Sequence, residues 1–253
     1  MTRRRFYAPP SAFTSKGDGV TLASDEAHHL REVLRLKPGD EAYVFDGKGK
    51  EFHCRIEESG RDIAHLAVIA ETTPARPESP LQLTLGVALL KGEKFDLVVQ
   101  KVTELGVTRV VPLVTKLADI RLRDESDTAK RVARWQRIAL EAAKQSGRAL
   151  VPEVAGPITF QSLIQTAGFE NEPGLMFSER GGQSLCEAEE KLPANSYSLT
   201  ALVGSEGGWT DEEIAIASGA GCTIVTLGGR TLRAETAAIT VAALLQHLYG
   251  DLA

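Results

Sequence analysis

Apolar positions between residues 81 and 227 come in short, nearly unbroken runs, separated by stretches with helical spacing. The first run, 81–90, does not alternate, as expected of a strand covered on both faces. A helix is predicted over about 94–105, with Gly106 as its stop. A strand follows at 109–114, then a long helix over about 128–146. Strands recur at 174–177, 198–203 and 223–227, and the last helix, from Glu235 to about Tyr249, is nearly all apolar on one side. This alternation predicts an α/β fold with a mostly parallel sheet covered on both faces.

The first 70 or so residues read differently. Residues 42–45 and 51–56 flank Asp46-Gly47-Lys48-Gly49-Lys50, a hairpin signal, and 62–70 is another strand. One short helix is predicted from Ser24 as N-cap through Leu36. Leu30, Val33 and Leu34 form its apolar stripe, and Pro38-Gly39-Asp40 ends it. Several short strands and one helix suggest a small barrel. Pro74, Pro77 and Pro80 then mark an extended linker. The expected organisation is a small β domain at 1–72, a linker at 73–80 and a larger α/β domain at 81–253.

Two predicted strands end in glycine turns that each feed a helix: Gly204-Ser205-Glu206-Gly207-Gly208 and Leu227-Gly228-Gly229-Arg230. They read either as tight structural turns or, side by side, as a pocket lined by main chain, which glycine lets a ligand approach closely. They lack the lysine of a P-loop and the spacing of GxGxxG, and they come late in the chain, so the common nucleotide folds do not fit. Thr236 lies where it can hydrogen-bond early in the last helix, whose N-terminus suits an anionic group. Lys91 and Lys94, at the end of the first large-domain strand, read as phosphate ligands or a solvated helix start. Glu141, Gln145 and Arg148 fall near one helix face.

Composition narrows the class. With 43% hydrophobic and 25% charged residues the chain reads as globular, and no apolar run approaches the roughly 18 residues of a membrane span. Arg3–Arg5 are not followed by an apolar segment, so no secretory signal is expected there. Cys54, Cys186 and Cys222 are scattered without a metal-ligand spacing, so neither a disulfide framework nor a metal site is expected, and a reducing cytoplasm is. The net charge of −5 does not announce a nucleic-acid partner. Arginines nonetheless cluster at 3–5 and at 121, 123, 131, 134, 137 and 148, as a solvated surface or a local basic patch.

Six blocks in order carry a resemblance. They are the arginine-rich start through Phe6, His28-His29-Leu30-Arg31-Glu32-Val33-Leu34-Arg35, Asp46-Gly47-Lys48-Gly49, the stretch from Val99 to Val107, Glu141-Ala142-Ala143-Lys144-Gln145-Ser146-Gly147-Arg148, and the two glycine turns through Ala237. In these blocks the chain closely resembles the RsmE family, ribosomal small-subunit RNA (uracil-N3)-methyltransferases of the SPOUT class. The resemblance implies a PUA-like barrel for RNA contact and a C-terminal SPOUT α/β domain with a deep trefoil knot. It also implies S-adenosyl-L-methionine as cofactor, a homodimer with its active site at the subunit interface, and 16S rRNA of the small ribosomal subunit as partner.

By the same resemblance, Leu202, Gly204, Glu206, Gly207, Gly208, Leu227, Gly228, Leu232 and Thr236 hold the cofactor. From their position on leaving the second glycine turn, Arg233 or Arg230 is expected to stabilise charge on uracil, and Glu235 or Glu206 either to take the N3 proton or to hold an arginine or cap a helix. Arg3, Arg4, Arg5, Arg31, Arg35, Lys91 and Arg148 contact RNA. N3 lies on the pairing edge, so the target base is expected unpaired or flipped out. Ser205 stands where the family usually has proline, and Lys116-Leu117-Ala118-Asp119-Ile120 where it usually has an Arg-Ser pair. Alternative readings are a non-catalytic RNA-binding or ribosome-assembly protein, or a SPOUT methyltransferase acting on another RNA.

Overall fold

The computed structural model describes residues 3–120, 122, 124–167, 169, 172–190 and 198–252. The chain forms two compact units, 1–78 with 140–151, and 79–139 with 152–253.

In the first unit, β1 (Arg5–Tyr7), β2 (Gly19–Ala23), β3 (Glu41–Phe45), β4 (Glu51–Ser59) and β5 (Ile63–Thr72) form a sheet in the order β1-β3-β4-β5-β2. β1 runs parallel to β3, and the other pairs are antiparallel. Inward-facing Phe6, Leu22, Val44, Ile56 and Leu66 make the core, closed by Ala27 and Leu30. The predicted apolar stripe is only partly right. Helix α1 (Ser24–His28) runs into a π-turn at His29–Val33, with the Leu34 amide donating to the His29 carbonyl at 3.0 Å. The wider turn rotates the face, so Val33 is 62% exposed while Leu30 is buried. Arg35, at φ 53°, reverses the chain and returns Leu36 to the core.

The second unit is the parallel sheet that the alternation predicts. Its chain order is β6 (Gln82–Ala88), α2 (Lys94–Glu104), β7 (Arg109–Val114), α3 (Glu125–Ser146), β8 (Glu153–Val154), β9 (Ile158–Thr159), α4 (Phe160–Ala167), β10 (Gly174–Phe177), β11 (Gln183–Ser184), α5 (Leu185–Glu189), β12 (Ser198–Val203), α6 (Asp211–Gly219), β13 (Thr223–Thr226) and α7 (Ala234–Tyr249). Residues 140–146 of α3 belong to the first unit. The strand order is β11-β13-β10-β12-β6-β7-β8, every pair parallel, with β9 on β7. Central strands are buried on both faces, as in the β12 pattern from Leu199 to Val203. α2 packs on α7, and a capping box of Thr210 and Glu213 starts α6. The end of the proline segment is anchored: Ser79 is buried and donates to Gln246 on α7 at 2.6 Å.

Candidate active site

β12 and β13 do not lie side by side: both pair with β10, which runs between them. The connection from β12 to β13 therefore straddles β10, and the two glycine turns flank Phe177-Ser178-Glu179. Together the three strand ends line a pocket of about 650 Å³, open mouth included. Phe177, Ser178 and Glu179 form one wall and Val203 to Glu206, Gly208 and Trp209 the next. Thr226, Leu227, Gly228, Arg230, Thr231, Leu232, Ala234 and Ala237 complete it. The place is the one open α/β sheets use, outside the carboxyl ends of the strands.

The first turn is built tightly. Gly208 sits at φ +69°, and a Cβ there would stand 2.5 Å from Glu179 Oε1. A Cβ on Gly207 would meet Leu117 Cβ at 2.9 Å. At Gly208 the left-handed backbone favours glycine, and a Cβ there would push the Glu179 carboxylate aside. The buried Trp209 fixes the far side by donating its ring N–H to the Phe177 carbonyl at 2.9 Å, and Arg180 bonds the Trp209 carbonyl. Ser205 is buried and donates to the Leu117 carbonyl at 3.0 Å. Lys116 is held in turn, its amide on Glu213 at 3.0 Å. The second turn, with Gly228 at φ +97°, has open space where side chains would be at Gly228 and Gly229. The pocket thus combines glycine turns on two sides with apolar side chains such as Phe177, Leu227 and Leu232.

Beside the pocket, Lys94 bridges two carboxylates. Its Nζ lies 2.7 Å from Glu206 Oε1 and 3.7 Å from Glu235 Oε2. Burial by itself raises the Glu206 carboxyl, but the Lys94 hydrogen bond, the loop backbone and the charges of Lys94 and Lys91 outweigh it. The group is held below its ordinary range. The hydrogen bond to Glu206 in turn raises Lys94. Glu235 Oε2 is buried without a hydrogen-bond partner.

Of the residues expected to hold cofactor, Gly204, Glu206, Gly208, Leu227, Gly228 and Leu232 line the pocket. Leu202 does not: its side chain is fully buried among Val111, Leu113 and Met176. Gly207 abuts Leu117 instead, and Thr236 is exposed on α7. Arg230 lines the pocket, while Arg233 is the exposed N-cap of α7 and Glu235 stands in its first turn. Sequence reasoning passed over Phe177, Ser178, Glu179 and Trp209. Phe177 ends a strand the sequence predicts and Ser178 and Glu179 follow directly on it, so the carboxyl-end rule was the available signal.

The arginine run of the first unit divides by use. Arg3 and Arg5 both bind the fully buried Glu51, and Arg5 also donates to the Arg148 carbonyl at 2.9 Å. Arg148 is buried and paired with Glu78 at 2.9 Å. Arg5 and Arg148, expected to contact RNA, are thus engaged by partners within the unit. Arg31 pairs with Glu32, and, in the other unit, Lys91 with Asp119 at 2.5 Å. Among the described residues, the exposed Arg4, Arg35 and Arg76 have side chains without a hydrogen bond or ion pair. Arg4 and Arg76 share a groove with His29, Leu34, Gln145 and Gly147. Arg121 and Arg123 lie outside the described residues. No helix among the described residues is long and apolar enough to cross a membrane, and they hold no cluster of three side chains suited to a metal.

Comparison with known proteins matches both parts of the chain. Residues 22–69 match an RNA methyltransferase PUA domain and residues 77–246 an RNA methyltransferase domain. The ribosomal RNA small subunit methyltransferase E of Synechocystis is 37% identical over 86% of this chain and 69% of its own length. Its Bacillus subtilis counterpart is 32% identical over 86% of this chain and 85% of its own. The crystal structure of the Neisseria gonorrhoeae ribosomal RNA small subunit methyltransferase E bound to S-adenosyl methionine is 35% identical, covers both chains fully and superposes with a TM-score of 0.86. With the glycine-turn pocket at the ends of β10, β12 and β13, these matches place the chain in the ribosomal RNA small subunit methyltransferase E family.

Proposed function

We propose that this chain methylates N3 of a specific uridine in 16S rRNA, using S-adenosyl-L-methionine held in the β10–β12–β13 pocket. The observation that carries the reading is that pocket, walled by two glycine turns at the strand ends, in a chain of this family. Gly204, Gly208 and Gly228 present backbone to the ligand, and Phe177, Leu227 and Leu232 cover its apolar parts. The cofactor, when bound, supplies a methyl group on a positively charged sulfur.

The remaining chemistry falls to the chain. Uracil N3 must lose its proton, and negative charge then develops on O2 and O4. Arg230, in the pocket lining, offers a guanidinium to that charge, with Arg233 next along the same turn. Glu235 is the better of the two candidate proton acceptors. Its buried Oε2 lacks a hydrogen-bond partner, whereas Glu206 is tied to Lys94 and held low. Lys94 helps hold the Glu206 carboxyl below its ordinary range. RNA is met by Arg4, Arg35 and Arg76 of the first unit through phosphate contacts. The reading includes a cytoplasmic homodimer with a knotted C-terminal domain, supported by family membership.

Incubation of purified protein with labelled cofactor and small subunits from cells lacking it, followed by mass-spectrometric mapping, tests this. N3-methyluridine at one 16S rRNA position is expected. Label at another atom, on another RNA, or none would overturn the reading.

A further inference from the structure

Three carboxylates stand on or beside the pocket, and two of them share a cation. Glu206 and Glu235 both face Lys94. Glu179, the second residue past β10, does not. It lines the pocket between the two glycine turns. Its nearest cation among the described residues is Arg180 at 3.9 Å, at the limit of an ion pair. That guanidinium is engaged elsewhere, on the Trp209 carbonyl and with Asp211 at 3.3 Å. Glu179 Oε1 meanwhile rests against Gly208, 2.5 Å from the point a Cβ would occupy. The lining therefore holds one carboxylate that is only weakly paired, at 3.9 Å, to a guanidinium it shares with Asp211, and the cation of the lining itself is Arg230.

We infer that Glu179 is the residue by which the site prefers the charged methyl donor over its neutral demethylated product. The inference rests on the cofactor reading above. Donor and product share adenine, ribose, ammonium and carboxylate. They differ by one methyl group and by the positive charge on sulfur. Apolar walls sense only the methyl, whereas a weakly paired carboxylate in the wall senses the charge, and more strongly where protein displaces water. The preference matters for turnover, because a site that held both ligands equally would be blocked by its own product. Glu179 is 43% exposed, so solvent screens it and the effect is moderate.

The test is calorimetric titration of wild type, Glu179→Gln and Glu179→Asp with S-adenosylmethionine and with S-adenosylhomocysteine. In Glu179→Gln the ratio of the two affinities is expected to fall about three- to tenfold, through weaker donor binding, with product affinity nearly unchanged. Glu179→Asp keeps the charge and should lie between. Equal losses for both ligands would overturn the inference, because the carboxylate would then hold a group common to both, such as the ribose hydroxyls or the ammonium. Unchanged affinities would overturn it as well. Wild-type protein that bound neither ligand would refute the cofactor reading itself, and this inference with it.

Discussion

The hydroxyl of Ser205 donates to the carbonyl of Leu117 at 3.0 Å, joining the first glycine turn to the segment after β7. The two places where the sequence departs from its family pattern, Ser205 and residues 116–120, are thus in direct contact. A buried hydroxyl now pins the turn. Ser205→Ala would leave the Leu117 carbonyl short of a donor. A loss of about 1 kcal/mol in denaturant unfolding and a several-fold weaker cofactor affinity by calorimetry are expected. Unchanged affinity would show that Gly207 packing on Leu117 holds the turn unaided.

Gly208 is the least replaceable residue of the pocket. Alanine there combines a left-handed backbone with a clash on the Glu179 carboxylate. Gly208→Ala should cost about 1–2 kcal/mol of stability, chiefly for the left-handed backbone, and weaken cofactor binding by displacing Glu179. Normal binding would mean that Glu179 swings away freely.

The Lys94 bridge has a defined pH range. Glu206 is held below its ordinary value, so its contribution is present above that value and lost as pH falls through the lower folded one. Lys94 is raised, so its contribution is present below its ordinary value and lost as pH rises through the folded one. The Lys94–Glu206 pair should therefore stay charged over a range that reaches below the ordinary glutamate value and above the ordinary lysine value. In Lys94→Met, carbon NMR titration should find the Glu206 carboxyl moved upward, since burial then acts with less opposition. A carboxyl that stayed low would assign its depression to the loop backbone.

Arg230 and Arg233 should separate kinetically. Loss of an oriented donor to developing negative charge typically costs about 10²–10³ in kcat. Arg230→Ala should show that loss together with a change in cofactor affinity, because it lines the pocket. Arg233→Ala should lower methyl transfer while cofactor affinity stays within a few-fold. Full activity in either variant removes that arginine from the chemistry.

On the first unit, exposed and buried arginines should behave oppositely. Arg4→Ala, Arg35→Ala and Arg76→Ala should each weaken RNA binding and reduce the slope of log affinity against log salt by about one. Arg148→Ala should instead destabilise the protein by about 3–5 kcal/mol, because Glu78 loses a buried partner. A stable Arg148→Ala protein with a shallower salt slope would reverse this assignment.

Local pattern alone determined most of the elements. The strands Arg109–Val114, Gly174–Phe177 and Ser198–Val203 fall where unbroken apolar runs place them, because a strand buried on both faces has no polar positions to spare. The two glycine turns stood out because their residues are costly anywhere but in a special conformation or a close approach. β1 and β2 were missed, being short edge strands with little period to read. The face of α1 was misread because a π-turn, set by how Leu36 must return to the core, breaks the 3.6-residue period. Strand order, too, is a property of the whole sheet. Only tertiary structure put β10 between the turns, and with it Glu179 and Phe177 into the pocket. Which arginines are free was decided in the same way. Arg4 and Arg5 are neighbours in sequence, but the strand pleat sends Arg5 to the buried Glu51 and leaves Arg4 exposed.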